Sequence, residues 1–317
     1  MSTIGLSLYR VCARQLSGLG LRRFAAVNRV NDWVLSRVKT RRAVVDGHVM
    51  YLDARDSLDL SLNHVYEPFE TELVQSLVHE NDTVLDVGAN IGYYTLILAR
   101  LVGPCGRVFA FEPDPGNFAL LKKNVESNGY KNVVLVNAAL SDQPATLKLY
   151  LSEENRGDHR IYRSDDKRRT IQIPAITADD YLAGLSHEVA FIKMDVQGAE
   201  AKVLRGMQRL LEETPKCQML FEFWPKGMSE AGDEAEHALA SLARHRFSFQ
   251  LVDQQRKSVQ PIDAEALLRN FTKANGHQTN VLASKTADVR SAVRTPESNS
   301  QCFGSAWDAD YRRSARR

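Results

Sequence analysis

The stretch TVLDVGANIGYYTLILAR, residues 83–100, joins a short apolar run to a helical pattern through a turn that contains Gly88 and Gly92. Continuous apolar runs of this length are typical of strands buried on both faces of a sheet. In a doubly wound sheet the ligand binds where such strands end, and a glycine there lets the backbone approach it closely. The stretch therefore predicts a strand, a ligand-binding turn and a helix; a tight turn without a ligand is the alternative.

The rest of the chain repeats this alternation of short apolar runs with helical periodicity. Thr177 and Asp180 have the spacing of a helix capping box. The alternation predicts a doubly wound α/β fold with a mostly parallel, seven-stranded sheet covered by helices on both sides. The six further predicted strands are residues 107–112, 132–138, 189–195, 218–223, 247–252 and 280–284, and the predicted helices lie near residues 91–101, 115–128, 177–185, 199–213 and 230–245.

Composition divides the chain into three parts. Residues 1–43 form a basic amphipathic N-terminal extension, for which a helix packed on the domain is favoured over a membrane-surface helix or a cleaved targeting peptide. Residues 44–285 hold the predicted α/β domain. Residues 286–317 contain few large apolar side chains, so we expect a disordered tail.

Bulk composition argues against several classes of protein. The net charge of +2 over 317 residues gives no reason to expect a nucleic-acid partner. The four cysteines lie far apart, without zinc or disulfide spacing, which favours a reducing compartment. No run approaches the roughly 18 consecutive apolar residues of a membrane span. We expect a cytoplasmic protein, with peripheral membrane contact through the N-terminal segment left open.

A carboxylate at the end of the second predicted strand indicates the kind of ligand. Glu112 lies 20 residues after Gly92, where an acid that accepts hydrogen bonds from ribose hydroxyls is expected. The glycine spacing is G-x-x-x-G, with Asp86 ahead of it, rather than the G-x-G-x-x-G turn of a dinucleotide site. These residues favour an adenosyl cofactor, S-adenosylmethionine, over NAD. A nucleotide-binding oxidoreductase that uses NAD is the alternative.

Four segments, in order, resemble the FkbM family of S-adenosylmethionine-dependent methyltransferases: VLDVGANIGYYTLILAR, VFAFEPDPGNFALLKKNV, NAALSD and FIKMDVQGAEAKVLRG. The resemblance runs from about Tyr66 to Trp224 and implies the class I methyltransferase sheet, Rossmann-like, with a reversed final strand. It implies O-methylation as the main activity and a ribose held by Glu112. The other cofactor-binding residues that it implies are Asp86, Gly88, Asn90 and Gly92 around the methionine end, and Asn137 with Ala138 beside adenine.

The same family tends to carry an acidic element ahead of the first strand, on a helix that covers the cofactor. Here that element is residues 66–71, YEPFET. The resemblance implies that Glu70 or Thr71 reaches the amino acid group of the cofactor. A plain helix start is the alternative, because Pro68 and an acid in the first turn are both favourable at a helix N-terminus.

The strand predicted at residues 189–195 supplies a candidate for the chemistry. Asp195 ends this strand at the ligand-binding edge and is predicted to face the cofactor methyl as a catalytic residue; a helix N-cap is the alternative. Methyl transfer from a sulfonium is an in-line displacement, so positioning dominates, and an alcohol acceptor also needs a base or a metal. FkbM sequences commonly have Glu where this chain has Gln197, so we predict no metal at these residues.

A long polar segment between NAALSD and TADDYL is predicted to be a functional loop. His159 is the predicted general base, with Asp158 to orient its ring and Arg160 to bind a carboxylate or phosphate on the substrate. A solvated surface histidine is the alternative. Glu222 and Trp224, near the end of the next strand, are predicted to bind the substrate, although Trp224 could simply complete the core.

These expectations together predict an S-adenosylmethionine-dependent O-methyltransferase. The resemblance implies a small-molecule or glycan acceptor whose hydroxyl belongs to a sugar, a glycan, a lipid-linked molecule or a polyketide. A protein that binds S-adenosylmethionine without catalysis, and uses the polar loop for recognition only, is a further alternative.

Overall fold

The computed structural model describes residues 40–152, 155–163, 167–185 and 188–285. The predicted tail at 286–317 and the predicted N-terminal extension up to residue 39 lie outside the described residues. The boundary predicted at residue 43 falls inside the first strand, which begins at Arg42. The described fold therefore includes the last residues of that extension.

Thirteen strands and ten helices make up the described part of the chain. The strands are β1 (Arg42–Val45), β2 (His48–Tyr51), β3 (Thr83–Val87), β4 (Arg107–Phe111), β5 (Val133–Val136), β6 (Ala139–Leu140), β7 (Ala145–Leu151), β8 (Arg169–Ile176), β9 (Val189–Met194), β10 (Cys217–Phe223), β11 (Ser248–Asp253), β12 (Ser258–Ile262) and β13 (Thr279–Lys285). The helices are α1 (Leu60–Asn63), α2 (Pro68–Leu77), α3 (Tyr93–Leu101), α4 (Pro115–Ser127), α5 (Ala178–Tyr181), α6 (Glu200–Arg205), α7 (Gln208–Glu213), α8 (Pro225–Glu230), α9 (Ala235–Arg244) and α10 (Ala264–Asn270).

An eight-stranded sheet forms the centre, in the order β12-β11-β13-β10-β9-β3-β4-β5. The five strands from β10 to β5 are parallel to one another. Strand β13 runs antiparallel to both β10 and β11, which is the reversed final strand that the resemblance implied. The doubly wound, mostly parallel fold of the class I methyltransferases is confirmed.

The central sheet has one strand more than the seven predicted. All seven predicted strands are present, and β12 pairs antiparallel with β11 at the edge of the sheet. The sequence SVQPI of β12 contains Pro261, which lacks a backbone donor and argues against a central strand. An edge position tolerates the proline, because one side of that strand needs no ladder hydrogen bonds.

The core lies on both faces of the central sheet. All five residues of β3 are buried, and its apolar side chains are divided between two apolar clusters on opposite faces. Val84 packs in the cluster that includes residues of α2, α3 and α4, whereas Leu85 packs in the cluster that includes residues of α6, α7 and α9. This double burial explains why the strand appears in the sequence as a continuous apolar run.

Two predicted helices differ from the observed ones. The helix predicted at 199–213 is split into α6 and α7, with Gly206 and Met207 between them. The helix predicted at 177–185 is the short α5, where the Thr177 hydroxyl accepts a hydrogen bond from the backbone N–H of Asp180 at 3.0 Å. That hydrogen bond confirms the Thr177 half of the predicted capping box.

A second sheet has the strand order β6-β8-β7, and β7 and β8 lie in the segment that was predicted to be a polar loop. Strands β7 and β8 pair antiparallel along seven residue pairs, and a backbone bridge joins Tyr150 to Arg160. The sequence ATLKLYL of β7 alternates apolar with polar residues, a pattern typical of a half-exposed strand. The loop proper is therefore confined to the connection between Leu151 and Arg169.

The cysteines differ from the sequence-based expectation. Cys105 is disulfide-bonded, whereas Cys217 is a buried free thiol. The spacing of the cysteines argued against a disulfide framework, and the disulfide at Cys105 removes the cysteine argument for a reducing compartment. Within the described ranges, no helix is long and apolar enough to cross a membrane.

The turn between β3 and α3 is held between two neighbouring strands. The backbone N–H groups of Gly88 and Ala89 both donate to the Phe111 carbonyl at the end of β4, at 3.0 and 2.9 Å. On the other side, a Cβ at Gly88 would lie 1.9 Å from the Asp195 carbonyl oxygen, beyond the end of β9. Gly88 also has a φ of +85°, which disfavours other residues. The glycine is therefore required by the close approach of Asp195, and not only by a ligand.

We predict that Gly88→Ala lowers the free energy of unfolding far more than Gly129→Ala does. Gly129 has a similar φ of +74° but no atom within 4 Å of its added Cβ. The control should cost about 1–2 kcal/mol for the left-handed backbone alone. Gly88→Ala should cost at least about 2 kcal/mol more, because the strands must shift. Urea unfolding of both variants measures the difference, and equal losses would show that Asp195 does not constrain the turn.

Candidate functional site

A cavity of about 240 Å³ opens at the carboxyl ends of β3, β4, β9 and β10, where ligands of open α/β sheets bind. Eight of the residues predicted for the site line it: Asp86, Gly88, Asn90, Glu112, Ala138, His159, Asp195 and Glu222. The parallel strands bring these residues together from segments far apart in the chain.

Glu112 ends β4 with its carboxylate held in place. The side chain is 5% exposed, and its two oxygens accept hydrogen bonds from the backbone N–H groups of Asn90 and Asp114, both at 2.8 Å. Each carboxylate oxygen has a second lone pair, so the group can still accept two ribose hydroxyls. Burial raises the pKa of Glu112 to about 8, with further contributions from Asp114 and Asp86.

Two buried amide oxygens beside Glu112 also point to a ligand with hydrogen-bond donors. Among the described residues, Asn90 Oδ1 and Asn117 Oδ1 are buried without a hydrogen-bond partner, and both side chains line the cavity. An unsatisfied buried acceptor is costly, so such groups in a cavity indicate a missing donor. Ribose hydroxyls and the adenine amino group are donors, and this end of the cavity therefore fits an adenosyl group.

Asp86 lies deeper, at the end of β3. Its carboxylate accepts a hydrogen bond from the Thr95 hydroxyl of α3 at 2.5 Å. Burial raises the pKa of Asp86 to about 6. The side chain stands beside Lys193, because these two residues are paired across β3 and β9.

The opposite end of the cavity carries two carboxylates joined by an amide. Gln197 Nε2 donates to Asp195 Oδ1 at 2.6 Å and to Glu222 Oε2 at 3.3 Å. Gln278 Nε2 donates to the other oxygen of Glu222 at 2.9 Å. Burial and the nearby Asp195 raise the pKa of Glu222 well above its usual value. The Gln197 amide occupies the place between the two carboxylates where a shared cation would have to bind.

Residues that the sequence analysis did not select complete this acidic end. Tyr66, Glu67 and Lys193 line the cavity, and Tyr94 on α3 donates its hydroxyl to Glu67 Oε2 at 2.9 Å. Burial raises the pKa of Glu67, and Lys193 opposes that rise. Lys193 could have been found in the sequence, because a lysine inside the apolar run FIKM is unusual and stands on the same face as Asp195.

The loop after β7 packs on the β4 side of the cavity. Asn117 Nδ2 donates to the Arg156 carbonyl at 3.0 Å, and the Arg156 guanidinium pairs with Asp114 at 3.3 Å. Asn117 and Asp114 both belong to the segment that follows Glu112. The loop therefore covers the adenosyl end of the cavity.

His159 lines the cavity, but its hydrogen bonding disfavours the predicted role as a base. Its Nδ1 accepts a hydrogen bond from the backbone N–H of Ser152 at 3.0 Å. Burial lowers the pKa of His159, so the ring is neutral and carries its proton on Nε2. The ring thus presents a hydrogen-bond donor rather than a proton acceptor.

The two neighbours of His159 do not act on the cavity. Asp158 accepts from Arg160 Nε and from Arg168, both at 2.7 Å, instead of orienting the imidazole. Arg160 also pairs with Glu230 and lies 4.9 Å from the centre of the Trp224 ring. Neither Asp158 nor Arg160 lines the cavity. Both side chains belong to an ion-pair network in this structure, which does not bring them to the cavity in their predicted roles.

Four other predicted site residues do not line the cavity and make contacts within the fold. Gly92 lets Leu121 of α4 pack closely on the start of α3. Asn137 Nδ2 donates to the Glu112 and Pro113 carbonyls. Glu70 is buried and accepts from Asn280 of β13 at 3.1 Å. Trp224 is 8% exposed and packs against Gly227, so it completes the core.

Comparison with known proteins identifies the family. The family described as "Methyltransferase FkbM domain" matches residues 86–251, more than half of the chain. "Methyltransferase 1" of Beauveria bassiana is 26% identical over 148 residues, which cover 40% of this chain and 59% of that protein. "Hexuronic acid methyltransferase AglP" of Haloferax volcanii is 26% identical over 195 residues, which cover 59% of this chain and 77% of that protein.

A similarity to a solved structure accompanies these matches. The crystal structure of methyltransferase FkbM from Methylobacillus flagellatus is 14% identical, with a TM-score of 0.38, and the match covers 81% of this chain and 58% of that one. The family assignment rests on the match over residues 86–251, and the fold on the strand order of the central sheet. The chain belongs to the FkbM family of methyltransferases.

Proposed function

We propose that this chain is an S-adenosylmethionine-dependent O-methyltransferase that acts on a hydroxyl of a sugar or a similar polar small molecule. One observation carries the proposal: a single cavity has a ribose-type carboxylate at one end and a pair of carboxylates at the other. Glu112 directly follows β4. On the opposite side of β3, Asp195 directly follows β9 and Glu222 lies near the end of β10. A bound adenosyl cofactor can then direct its methyl towards the carboxylate pair.

The proposed cofactor contacts use the groups already held in place. Glu112 accepts the ribose hydroxyls, Asn90 and Asn117 accept from the adenosine through their unsatisfied oxygens, and Ala138 lies beside the base. Asp86 and Gly88 lie under the methionine end. When bound, the cofactor supplies an electrophilic methyl on a positively charged sulfur.

The acidic end suits a hydroxyl-bearing acceptor. Asp195 and Glu222 are hydrogen-bond acceptors, and the Gln197 and Gln278 amides carry both donors and acceptors, a combination that matches hydroxyl groups. The hexuronic acid named for the Haloferax volcanii relative is consistent with a sugar acceptor.

We assign proton removal to Glu222. The acceptor oxygen attacks the methyl carbon in line with the carbon–sulfur bond, and the hydroxyl proton passes to a carboxylate as that bond breaks. The raised pKa of Glu222 makes its ionised form a stronger proton acceptor than an ordinary glutamate. Asp195 orients the acceptor, and His159 donates a hydrogen bond from the adenosyl side.

The proposed domain organisation keeps the boundaries set by composition, although β1 begins two residues before the proposed domain, at Arg42. The methyltransferase domain spans residues 44–285, preceded by a basic extension at 1–43 and followed by a tail at 286–317. The charge pattern of the extension is compatible with peripheral contact to an anionic membrane. The acceptor is a small molecule or a glycan rather than a nucleic acid.

We predict that S-adenosylhomocysteine binds more tightly as the pH rises from 6 through about 8. Protonated Glu112 cannot accept from two ribose hydroxyls while it also accepts from two backbone N–H groups, and its pKa is about 8. Calorimetry at pH 6 to 9 measures the change. Glu112→Gln should weaken binding by about 1–3 kcal/mol at pH 9 and remove most of the pH dependence. Unchanged affinity in a folded Glu112→Gln variant would refute the ribose assignment.

We predict that Glu222→Gln lowers the single-turnover rate of methyl transfer by about 10²- to 10⁴-fold. The assay follows labelled methyl groups from S-adenosylmethionine into a panel of monosaccharides and uronic acids. Label that survives mild alkali is an ether rather than an ester. Asp195→Asn should also lower the rate, whereas His159→Ala should lower it less than 10-fold.

The matched control for this assay is Glu213→Gln, at an exposed position on α7. Glu213→Gln should bind S-adenosylhomocysteine as the unmodified chain does, and saturating S-adenosylmethionine in every rate measurement separates the loss of rate from any change in cofactor affinity. A large rate loss in His159→Ala with none in Glu222→Gln would restore the histidine as the base. Loss of activity on chelation, with recovery on adding magnesium or manganese, would require a metal instead.

A further inference from the structure

Lys193 is a buried cation in the cavity for which the proposed reaction has no role. It lies in β9, between β3 and β10, and its side chain is 2% exposed. Within residues 40–152, 155–163, 167–185 and 188–285 its ammonium makes no hydrogen bond or ion pair. The side chain lines the cavity, and its nitrogen lies 5.1 Å from the centre of the Tyr94 ring.

The surroundings keep this lysine charged. Burial lowers the pKa of Lys193, but attraction by Asp195, Glu67, Glu222 and Asp86 outweighs burial and raises the pKa above its usual value. A charged ammonium that is desolvated and unpaired is costly. Its position in the cavity wall therefore indicates an anionic group of a ligand.

The charges at this end of the cavity match those of a sulfonium amino acid. The methionine part of S-adenosylmethionine carries two positive groups, the sulfonium and the ammonium, and one carboxylate. Asp86, Glu67, Asp195 and Glu222 suit the positive groups. Among the described residues that line the cavity, the lysine and arginine side chains are Lys193 and Arg156. Arg156 pairs with Asp114 beside the adenosyl end, so Lys193 remains for the carboxylate.

The N-terminus of α3 supports the same ligand group. This nine-residue helix begins at Tyr93, and both Tyr93 and Tyr94 line the cavity. The first backbone N–H groups of a helix lack intrahelical partners, and the helix dipole favours an anion there. Lys193 and the helix start therefore border the same part of the cavity.

We propose that Lys193, together with the N-terminus of α3, binds the methionine carboxylate of S-adenosylmethionine. This inference rests on the proposed function, because it requires the adenosyl group to lie on Glu112. It makes Lys193 a determinant of cofactor choice: ligands that lack the carboxylate lose this contact while they keep the adenosine. The competing role is a purely internal counter-ion for the four acids.

The test compares two ligands that differ only in the carboxylate. S-adenosylhomocysteine and its decarboxylated analogue, which keeps the adenosine, the sulfur and the ammonium, are titrated into the full chain by calorimetry. The unmodified chain should bind S-adenosylhomocysteine about 10- to 100-fold more tightly. Lys193→Met should weaken S-adenosylhomocysteine by a similar factor and leave the analogue unchanged or slightly tighter.

The controls separate this inference from the proposed function. Lys122→Met, at an exposed position on α4, should leave both affinities unchanged. Equal weakening of both ligands by Lys193→Met would show a counter-ion role and overturn the inference. Equal binding of both ligands by the unmodified chain would also overturn it, even if Lys193→Met does not fold. No binding of either ligand by the unmodified chain would contradict the proposed function itself.

Discussion

The close contact between the β3–α3 turn and its two neighbouring strands determines the geometry of the site. Gly88 and Ala89 donate to the Phe111 carbonyl on one side, and Gly88 lies against the Asp195 carbonyl on the other. The first carbonyl belongs to Phe111, the residue before Glu112, and the second belongs to Asp195 itself. A single turn of backbone therefore fixes how far apart the adenosyl end and the acidic end of the cavity stand. Any residue larger than glycine at position 88 would separate them.

The charge distribution of the cavity follows from this arrangement. Burial raises the pKa of Asp86, Glu112 and Glu222, so the site without a ligand holds acids at some cost in free energy. A ligand that brings a sulfonium and an ammonium to the acidic end relieves that cost. Lys193 has a different role in the proposal. It is a cation among these acids, and it binds the carboxylate of the ligand, whereas the acids suit the positive groups. The same acids that attract the cofactor thus also prepare the acceptor side for proton removal.

The sequence was sufficient to predict the elements that are buried on both faces. The seven strands, the cofactor turn and the positions of Glu112 and Asp195 at strand ends are set by local pattern and by parallel topology. The roles of Asp158, Arg160 and Trp224 were not predictable in this way, because ion pairs and ring packing across the chain decide them. The sequence analysis selected Glu70, but Glu67 of the same short element lines the cavity. The orientation of the helix decides which of the two faces the cavity, and the sequence does not show that orientation.

A crystal structure of the chain with S-adenosylhomocysteine tests the central claim most directly. Both ribose hydroxyls should lie within about 3 Å of the Glu112 carboxylate. The sulfur should lie on the β9 side of the β3–α3 turn, facing Asp195 and Glu222. A ribose bound against Asp195 and Glu222, or an adenosyl group outside the cavity at the ends of β3 and β4, would contradict the central claim.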